Sequence, residues 1–362
     1  MSETLKELNK HIQDIPALLG VKKIPWLIAG PCSAETEEQV LATAEGLAKC
    51  PNVKVYRAGI WKPRTRPNSF EGVGEEGLKW LRKVKEQTGL LTATEVANPK
   101  HVELCLKNKV DILWIGARTT VSPFIIQEIA DSLRGVDVPV LVKNPVNTDI
   151  GLWIGAFERL YQAGVKKLGA IHRGFSSFDE TEYRNKPHWE IPIELKRLIP
   201  NIQIICDPSH IGGDRKFIEP ISQMALDLGI NGLMIETHVN PAKALSDSKQ
   251  QITPKELIDL LTILKVRDAV PTDVLLKAQI TRLRTSISRI DSRIIQDIAD
   301  RMKYVEEIGQ LKQKYKIPVL QMDRWETLLK DHIEKAQEKG LDREFTKALF
   351  ELIHTQAVKK QI

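Results

Sequence analysis

The chain lacks the features that would direct it to a membrane, a secretory compartment or a nucleic acid. No apolar run approaches the ~18 residues a bilayer-spanning helix needs. The start, Met-Ser-Glu-Thr-Leu-Lys, has no signal-peptide hydrophobic segment. Four cysteines in 362 residues are too few for a disulfide frame and read as thiols, so a cytoplasmic location is expected. Aromatic residues are only 6% of the sequence, and no Lys/Arg block is interleaved with them, so a nucleic-acid surface is not expected. The net charge of +6 suits anionic metabolites instead. Proline and glycine are abundant early and nearly missing late: 18 of 19 prolines and 19 of 21 glycines precede residue 272, leaving only Pro318, Gly309 and Gly340 in the last 90 residues. This shift marks two domains, residues 1–262 and 273–362, joined by a linker over 263–272 that contains Val270-Pro271-Thr272-Asp273.

Short apolar, β-branched runs recur at Trp26–Ala29, Val53–Tyr56, Leu90–Thr94, Ile112–Ile115, Val138–Val142, Lys167–Ile171, Ile202–Cys206 and Gly232–Ile235. Between them lie helix-like stretches such as Thr36–Lys49, Gly74–Thr88, Pro99–Asn108 and Pro123–Leu133. Near-continuous hydrophobic runs separated by crossover-length helices predict parallel strands buried on both faces, and eight such units fit an α/β (β/α)8 barrel. The alternative, an open doubly wound sheet, is disfavoured because no Gly-x-Gly-x-x-Gly follows the first run.

In the last 90 residues, Leu276, Ile280, Leu283, Ile287, Ile290, Ile294, Ile298, Met302, Val305 and Ile308 step by three or four. That spacing predicts one helix of nearly forty residues with a continuous apolar stripe. The two remaining helices, expected at Asp323–Gln337 and Asp342–Lys360, are too short to cover the stripe, so this all-α domain is expected to form a homodimer.

Cys32, Arg57, Lys62, Arg64, Arg118, Lys143, Arg173, His210 and Glu236 all fall at or just past the C-terminal end of a predicted strand. In a barrel those ends meet at one face, so the residues would converge on one pocket suited to a divalent metal and phosphorylated substrates. Lys143 ends an apolar strand with no solvent-facing helix to lie on, so its burial calls for an anion.

Ala29-Gly30-Pro31-Cys32-Ser33, Arg57-Ala58-Gly59-Ile60-Trp61-Lys62-Pro63-Arg64-Thr65, Ile115-Gly116-Ala117-Arg118, Val142-Lys143, His172-Arg173-Gly174, Asp207-Pro208-Ser209-His210 and Glu236-Thr237-His238 follow one another in an order that resembles the compact branch of the 3-deoxy-D-arabino-heptulosonate 7-phosphate (DAHP) synthases. The resemblance implies condensation of phosphoenolpyruvate with erythrose 4-phosphate, the first step of the shikimate pathway, with Cys32, His210, Glu236 and Asp247 as ligands of a divalent metal. Such a mixed thiolate, imidazole and carboxylate set accepts Mn, Fe, Zn or Co, with manganese the first expectation. It also implies that Arg57, Lys62, Arg118, Lys143 and Arg173 clamp phosphoenolpyruvate, Lys62 and Lys143 near the reacting enol, and that Arg64 and Thr65 contact the aldose phosphate. The runner-up is a 3-deoxy-octulosonate 8-phosphate synthase acting on arabinose 5-phosphate. Lys62-Pro63-Arg64-Thr65 disfavours it, since that sister family resembles Lys-Ala-Asn-Arg-Ser there.

Leu283-Arg284, Ile290-Asp291, Arg301, Ile308-Gly309-x-x-Lys312, Pro318-Val319, Asp323-Arg324 and Leu349-Phe350 resemble the all-helical chorismate mutases, which rearrange chorismate to prephenate. Arg301 and Lys312 are eleven residues apart, about 20° out of phase on a helix, and so share a face; Arg284 lies about 100° off it. The resemblance implies that Arg284 reaches the partner chain's site, with Arg301, Lys312, Arg324 and Gln361 completing the pocket and Lys312 and Gln361 on the ether oxygen. It implies, too, two carboxylates on the substrate hydroxyl, but Gln321 and Trp325 occupy the aligned positions, and Ala357 replaces a small polar residue. Prephenate bound among Arg284, Arg301 and Lys312 is expected to inhibit the condensation. The alternative for this domain is a non-catalytic regulatory or dimerisation module.

Overall fold

The computed structural model describes residues 2–20, 25–62, 69–177, 182–230, 232–267, 274–320 and 322–361. They divide into two compact units, residues 1–269 and 270–362.

In the first unit eight strands close into a barrel in sequence order: β1 (Trp26–Gly30), β2 (Val53–Arg57), β3 (Leu91–Val96), β4 (Ile112–Ile115), β5 (Val140–Lys143), β6 (Leu168–His172), β7 (Gln203–Cys206) and β8 (Gly232–Glu236). Every neighbouring pair is parallel, and β8 pairs back onto β1 from Trp26↔Gly232 to Gly30↔Glu236. The expected runs become these strands with shifts of one or two residues at their ends. Their β-branched side chains suit a pleated surface covered on both faces. Ile28, Val55, Ala93, Trp114, Leu141, Ile171, Ile205 and Met234 fill the barrel. A second core, which includes Leu47, Leu81, Val102, Ile129, Phe157 and Leu195, lies between the barrel and its helices. Thr36, Asn98 and Asp149 cap three of those helices by accepting from the backbone N–H of Gln39, His101 and Leu152. Two short helices precede β1, Glu3–His11 and Ile15–Leu18, and the fully buried Ile15 joins the core inside the barrel.

The second unit is three helices: a long one, Val274–Tyr315, then Met322–Glu338 and Arg343–Gln361. Val305, Ile333, Ala336 and Ala357 are buried, but Leu276, Leu283, Ile287, Ile290 and Ile294 remain 45–58% exposed along the long helix. Most of the expected linker, residues 268–272, lies outside the described residues.

Candidate active sites

Closure of the barrel brings the strand-end residues to one face. Gly30 ends β1 at φ +149, and a Cβ there would fall onto the Arg57 carbonyl oxygen of β2. Only glycine allows the two strands to run this close, and Cys32 follows at once. Cys32 Sγ lies 3.3 Å from Asp247 Oδ2, and one potential ligand atom from each of Cys32, Glu236 and Asp247 falls within 4.8 Å of the others. His210 stands beside this trio, with Nε2 3.6 Å from Glu236 Oε1. Its Nδ1 lies 2.9 Å from Asp207 Oδ1, a contact that fixes the ring. Asp247 itself has a left-handed backbone (φ 46, ψ 40), a conformation sparsely populated outside glycine and found at functional sites.

Local charge sets the ionisation of these groups. Burial pushes the Glu236 carboxyl up, yet His210 and Arg57 outweigh it and hold it below the ordinary value. Burial opposes ionisation of Asp247 as well, but His210, Arg184 and Lys62 keep it far below the usual carboxylate range. Burial also lowers His210, against the opposing pull of Asp207. The Cys32 thiol is raised by burial, then by Glu236, to about 12; a bound divalent cation would reverse that by stabilising the thiolate. Glu236 Oε1 is a buried carboxylate oxygen without a hydrogen-bond partner. An orphaned acceptor beside an imidazole, a thiol and a second carboxylate fits a cation.

Next to this group opens a cavity of ≈ 450 Å³ lined by five cations, Lys62, Arg118, Lys143, Arg173 and Arg184, against two carboxylates, Glu95 and Asp247. The excess of positive charge in a concave cleft selects an anion. Lys143 closes β5 and is 5% exposed, with Nζ 2.9 Å from Asp207 Oδ2. The anion that its burial demands is therefore supplied within the barrel. Arg173 donates from Nη1 to Asn185 Oδ1 at 2.7 Å, and burial lowers its guanidinium to about 10. Lys62 donates to both Cys32 O and Cys32 Sγ at 3.0 Å. Arg57 does not line the cavity: it lies beneath, with Nη2 3.4 Å from Glu236 Oε1 and Cζ 4.9 Å from the Trp114 ring centroid. Arg64 and Thr65 lie outside the described residues.

The profile of the DAHP synthetase I family matches residues 9–270. The chain belongs to that family. The profile of chorismate mutase type II matches residues 283–362, so a DAHP synthase barrel is joined to a chorismate mutase domain. The phospho-2-dehydro-3-deoxyheptonate aldolase of Thermotoga maritima is 34% identical over 250 residues, 67% of this chain and 70% of that protein. The 2-dehydro-3-deoxyphosphooctonate aldolase of Campylobacter jejuni is more distant, 28% identical over 277 residues, 67% of this chain and 97% of that protein. Among solved structures, the crystal structure of the Thermotoga maritima DAHP synthase superposes with a TM-score of 0.59 at 33% identity, covering 66% of this chain and 67% of that one. A truncated form from the same organism gives 0.57 at 30% identity, covering 66% and 84%.

Several residues that hold the DAHP synthase site together escape the sequence reading. Gln250 donates to Glu236 Oε2 at 2.7 Å. The next residue, Gln251, accepts from Cys32 N–H at 3.0 Å and donates to Ser246 O at 2.8 Å. Arg184 bridges Asp247 Oδ1 (3.0 Å) and Gln250 Oε1 (2.8 Å), and Asn185 donates to His210 O at 2.6 Å. The one available signal was the adjacent amide pair directly after Asp247-Ser248-Lys249.

In the chorismate mutase domain, Lys312 Nζ donates to Val319 O at 2.7 Å. Arg301 Nη1 and Gln361 Oε1 are buried without partners, and Gly309 permits the approach of Gln361, whose Cα would lie 2.9 Å from a Cβ at that position. Arg284 and Arg324 are exposed. No described helix is long and apolar enough to cross a membrane.

Proposed function

We propose that the chain carries out two reactions of aromatic biosynthesis, the condensation of phosphoenolpyruvate with erythrose 4-phosphate in the barrel and the rearrangement of chorismate to prephenate in the helical domain. The observation that carries the first is the cation-lined cavity bordered by His210 and Asp247, with Asp247 grouped with the buried Cys32 and Glu236. Arg118, Lys143 and Arg173 hold the carboxylate and phosphate of phosphoenolpyruvate, and Lys62 lies between them and Cys32. Holding the enol and the aldehyde in one pocket supplies the orientation that a carbon–carbon bond-forming step requires. Cys32, His210, Glu236 and Asp247 would hold a divalent ion, manganese first among Mn, Fe, Co and Zn, and that ion supplies Lewis-acid polarisation of the aldehyde oxygen. Arg64 and Thr65 are assigned to the aldose phosphate.

The deciding experiment offers the purified chain phosphoenolpyruvate with erythrose 4-phosphate or arabinose 5-phosphate, and separately chorismate. Turnover with erythrose 4-phosphate and with chorismate is expected. Preference for arabinose 5-phosphate would replace the first assignment, and inertness toward chorismate would reduce the helices to a binding module. Inhibition of condensation by prephenate belongs to the same proposal and is read in this assay by titration.

For the helical domain we propose a homodimer. The exposed stripe Leu276, Leu283, Ile287, Ile290 and Ile294 supports a second copy as its cover, since patches this long are seldom left to water. Arg284 would then serve the partner's site and Arg301 its own. Mixing inactive Arg284→Ala and Arg301→Ala chains should therefore restore mutase activity, because one of the two sites in a heterodimer has both arginines intact. Failure of subunit-exchanged mixtures to exceed either parent would place both arginines within one chain.

A further inference from the structure

The long helix and the last helix of the mutase domain meet in two rungs. Gly309 sits against Gln361 in one. Eight residues earlier on the long helix, Arg301 acts electrostatically on His354, seven residues before Gln361. The helices therefore run in the same direction, and two turns on the last helix place His354 and Gln361 on one face. Among the described residues of this unit, three buried side-chain polar atoms have no hydrogen-bond partner: Arg301 Nη1, His354 Nε2 and Gln361 Oε1. All three belong to these two rungs. Buried polar atoms are nearly always paired in a finished structure, and three unpaired ones gathered in one place mark a ligand site.

Arg301 and Gln361 already belong to the mutase reading; His354 does not. Its imidazole is held flat against Trp325 of the middle helix, with ring centroids 3.9 Å apart and planes at 13°. One turn earlier on the last helix, Phe350 makes a similar stack with His332 at 4.2 Å, yet neither His332 nitrogen is buried without a partner. The Trp325 pair is thus not explained as core packing alone. Trp325 stands where a carboxylate for the substrate hydroxyl is expected, and an indole N–H cannot accept a hydrogen bond. Burial and the neighbouring Arg301 lower His354, which favours the neutral ring with one nitrogen that donates and one that accepts.

We propose that His354, oriented by Trp325, contacts the ring hydroxyl of chorismate through Nε2 and takes the place of the missing carboxylates as the specificity residue of the mutase site. The proposal rests on the mutase reading of this domain. It requires the imidazole to bind a neutral hydroxyl, not the diacid, which falls to the arginines and Lys312.

The test compares wild type, His354→Leu and His354→Gln as full chains, with chorismate and with an analogue lacking the ring hydroxyl. With chorismate, His354→Leu should lose about fivefold to a hundredfold in kcat/KM, the range for one lost hydrogen bond and its stranded partner. His354→Gln, which keeps a side-chain donor and acceptor, should recover most of that loss. With the analogue all three chains should react alike, because the contact does not exist. Helical content by circular dichroism, together with turnover of the analogue, reports that the helical domain of each chain has folded. An equal loss on both substrates would make His354 a packing residue and overturn the proposal, as would a His354→Leu chain with unchanged kcat/KM on chorismate. A wild-type chain with no mutase activity at all would overturn the mutase reading itself and this proposal with it, an outcome recognised before any variant is made.

Discussion

Stripping divalent ions from the purified chain should abolish the condensation and leave chorismate rearrangement untouched. Among the described residues the grouping of ligand-type side chains able to hold an ion is Cys32, Glu236 and Asp247, in the barrel. In the proposed mutase site Arg301, Lys312 and Gln361 would act on a diacid by charge and hydrogen bonding alone. Cys32→Ala should reproduce the effect of the chelator, and added Mn²⁺ should restore the stripped wild type but not the variant. Condensation above about a twentieth of the starting rate in metal-free protein would remove Lewis-acid catalysis from the account.

Lys143→Met should lower kcat/KM for phosphoenolpyruvate by on the order of a thousandfold, since a buried cation aimed at a reacting anion is seldom replaceable. It should also destabilise the barrel by about 3 kcal/mol, because Asp207, fully buried and 2.9 Å from Lys143 Nζ, loses a counter-charge. Adding Asp207→Asn to Lys143→Met separates the two effects. The double variant should melt closer to wild type by calorimetry and remain inactive. Recovery of condensation in the double variant would show that Lys143 matters only for neutralising Asp207.

Most strands are legible because they are buried on both faces and carry short apolar runs, although β2 keeps the exposed Lys54 and β3 the half-buried Glu95; Ile112–Ile115 appears in the barrel with the limits its sequence suggests. The long helix was legible from its stripe, since three- and four-residue steps over more than thirty residues fit no other backbone. Ile15 was not, because a single isoleucine in a short helix gives no period, and its place inside the barrel is set by tertiary contact. At the site, residue types with few alternative uses stood out: a cysteine after Gly30-Pro31, a lysine ending an apolar strand, a histidine after Asp207-Pro208. Arg184, Asn185, Gln250 and Gln251 did not, because arginines and amides populate every protein surface and acquire meaning only through the partner they meet. The burial of Lys143 calls for an anion, and the sequence gives no sign that Asp207, 64 residues later, provides one.

Cys32 follows the first strand, while Glu236 ends the last, and those two strands are hydrogen-bonded neighbours. On the ribosome Cys32 emerges 204 residues (236 − 32) ahead of Glu236. Throughout that interval the nascent chain has no binding centre, and a barrel that has not met its own beginning has none either. An ion gripped across this seam would act as a clasp, adding RT ln(1 + [ion]/Kd) to the closed form, about 2.7 kcal/mol at a hundredfold excess over Kd. Of all strand pairings in the barrel, that clasp secures the one with the greatest loop-closure cost, so in such a chain the cell's metal supply and the closing of the ring would be read by the same residues.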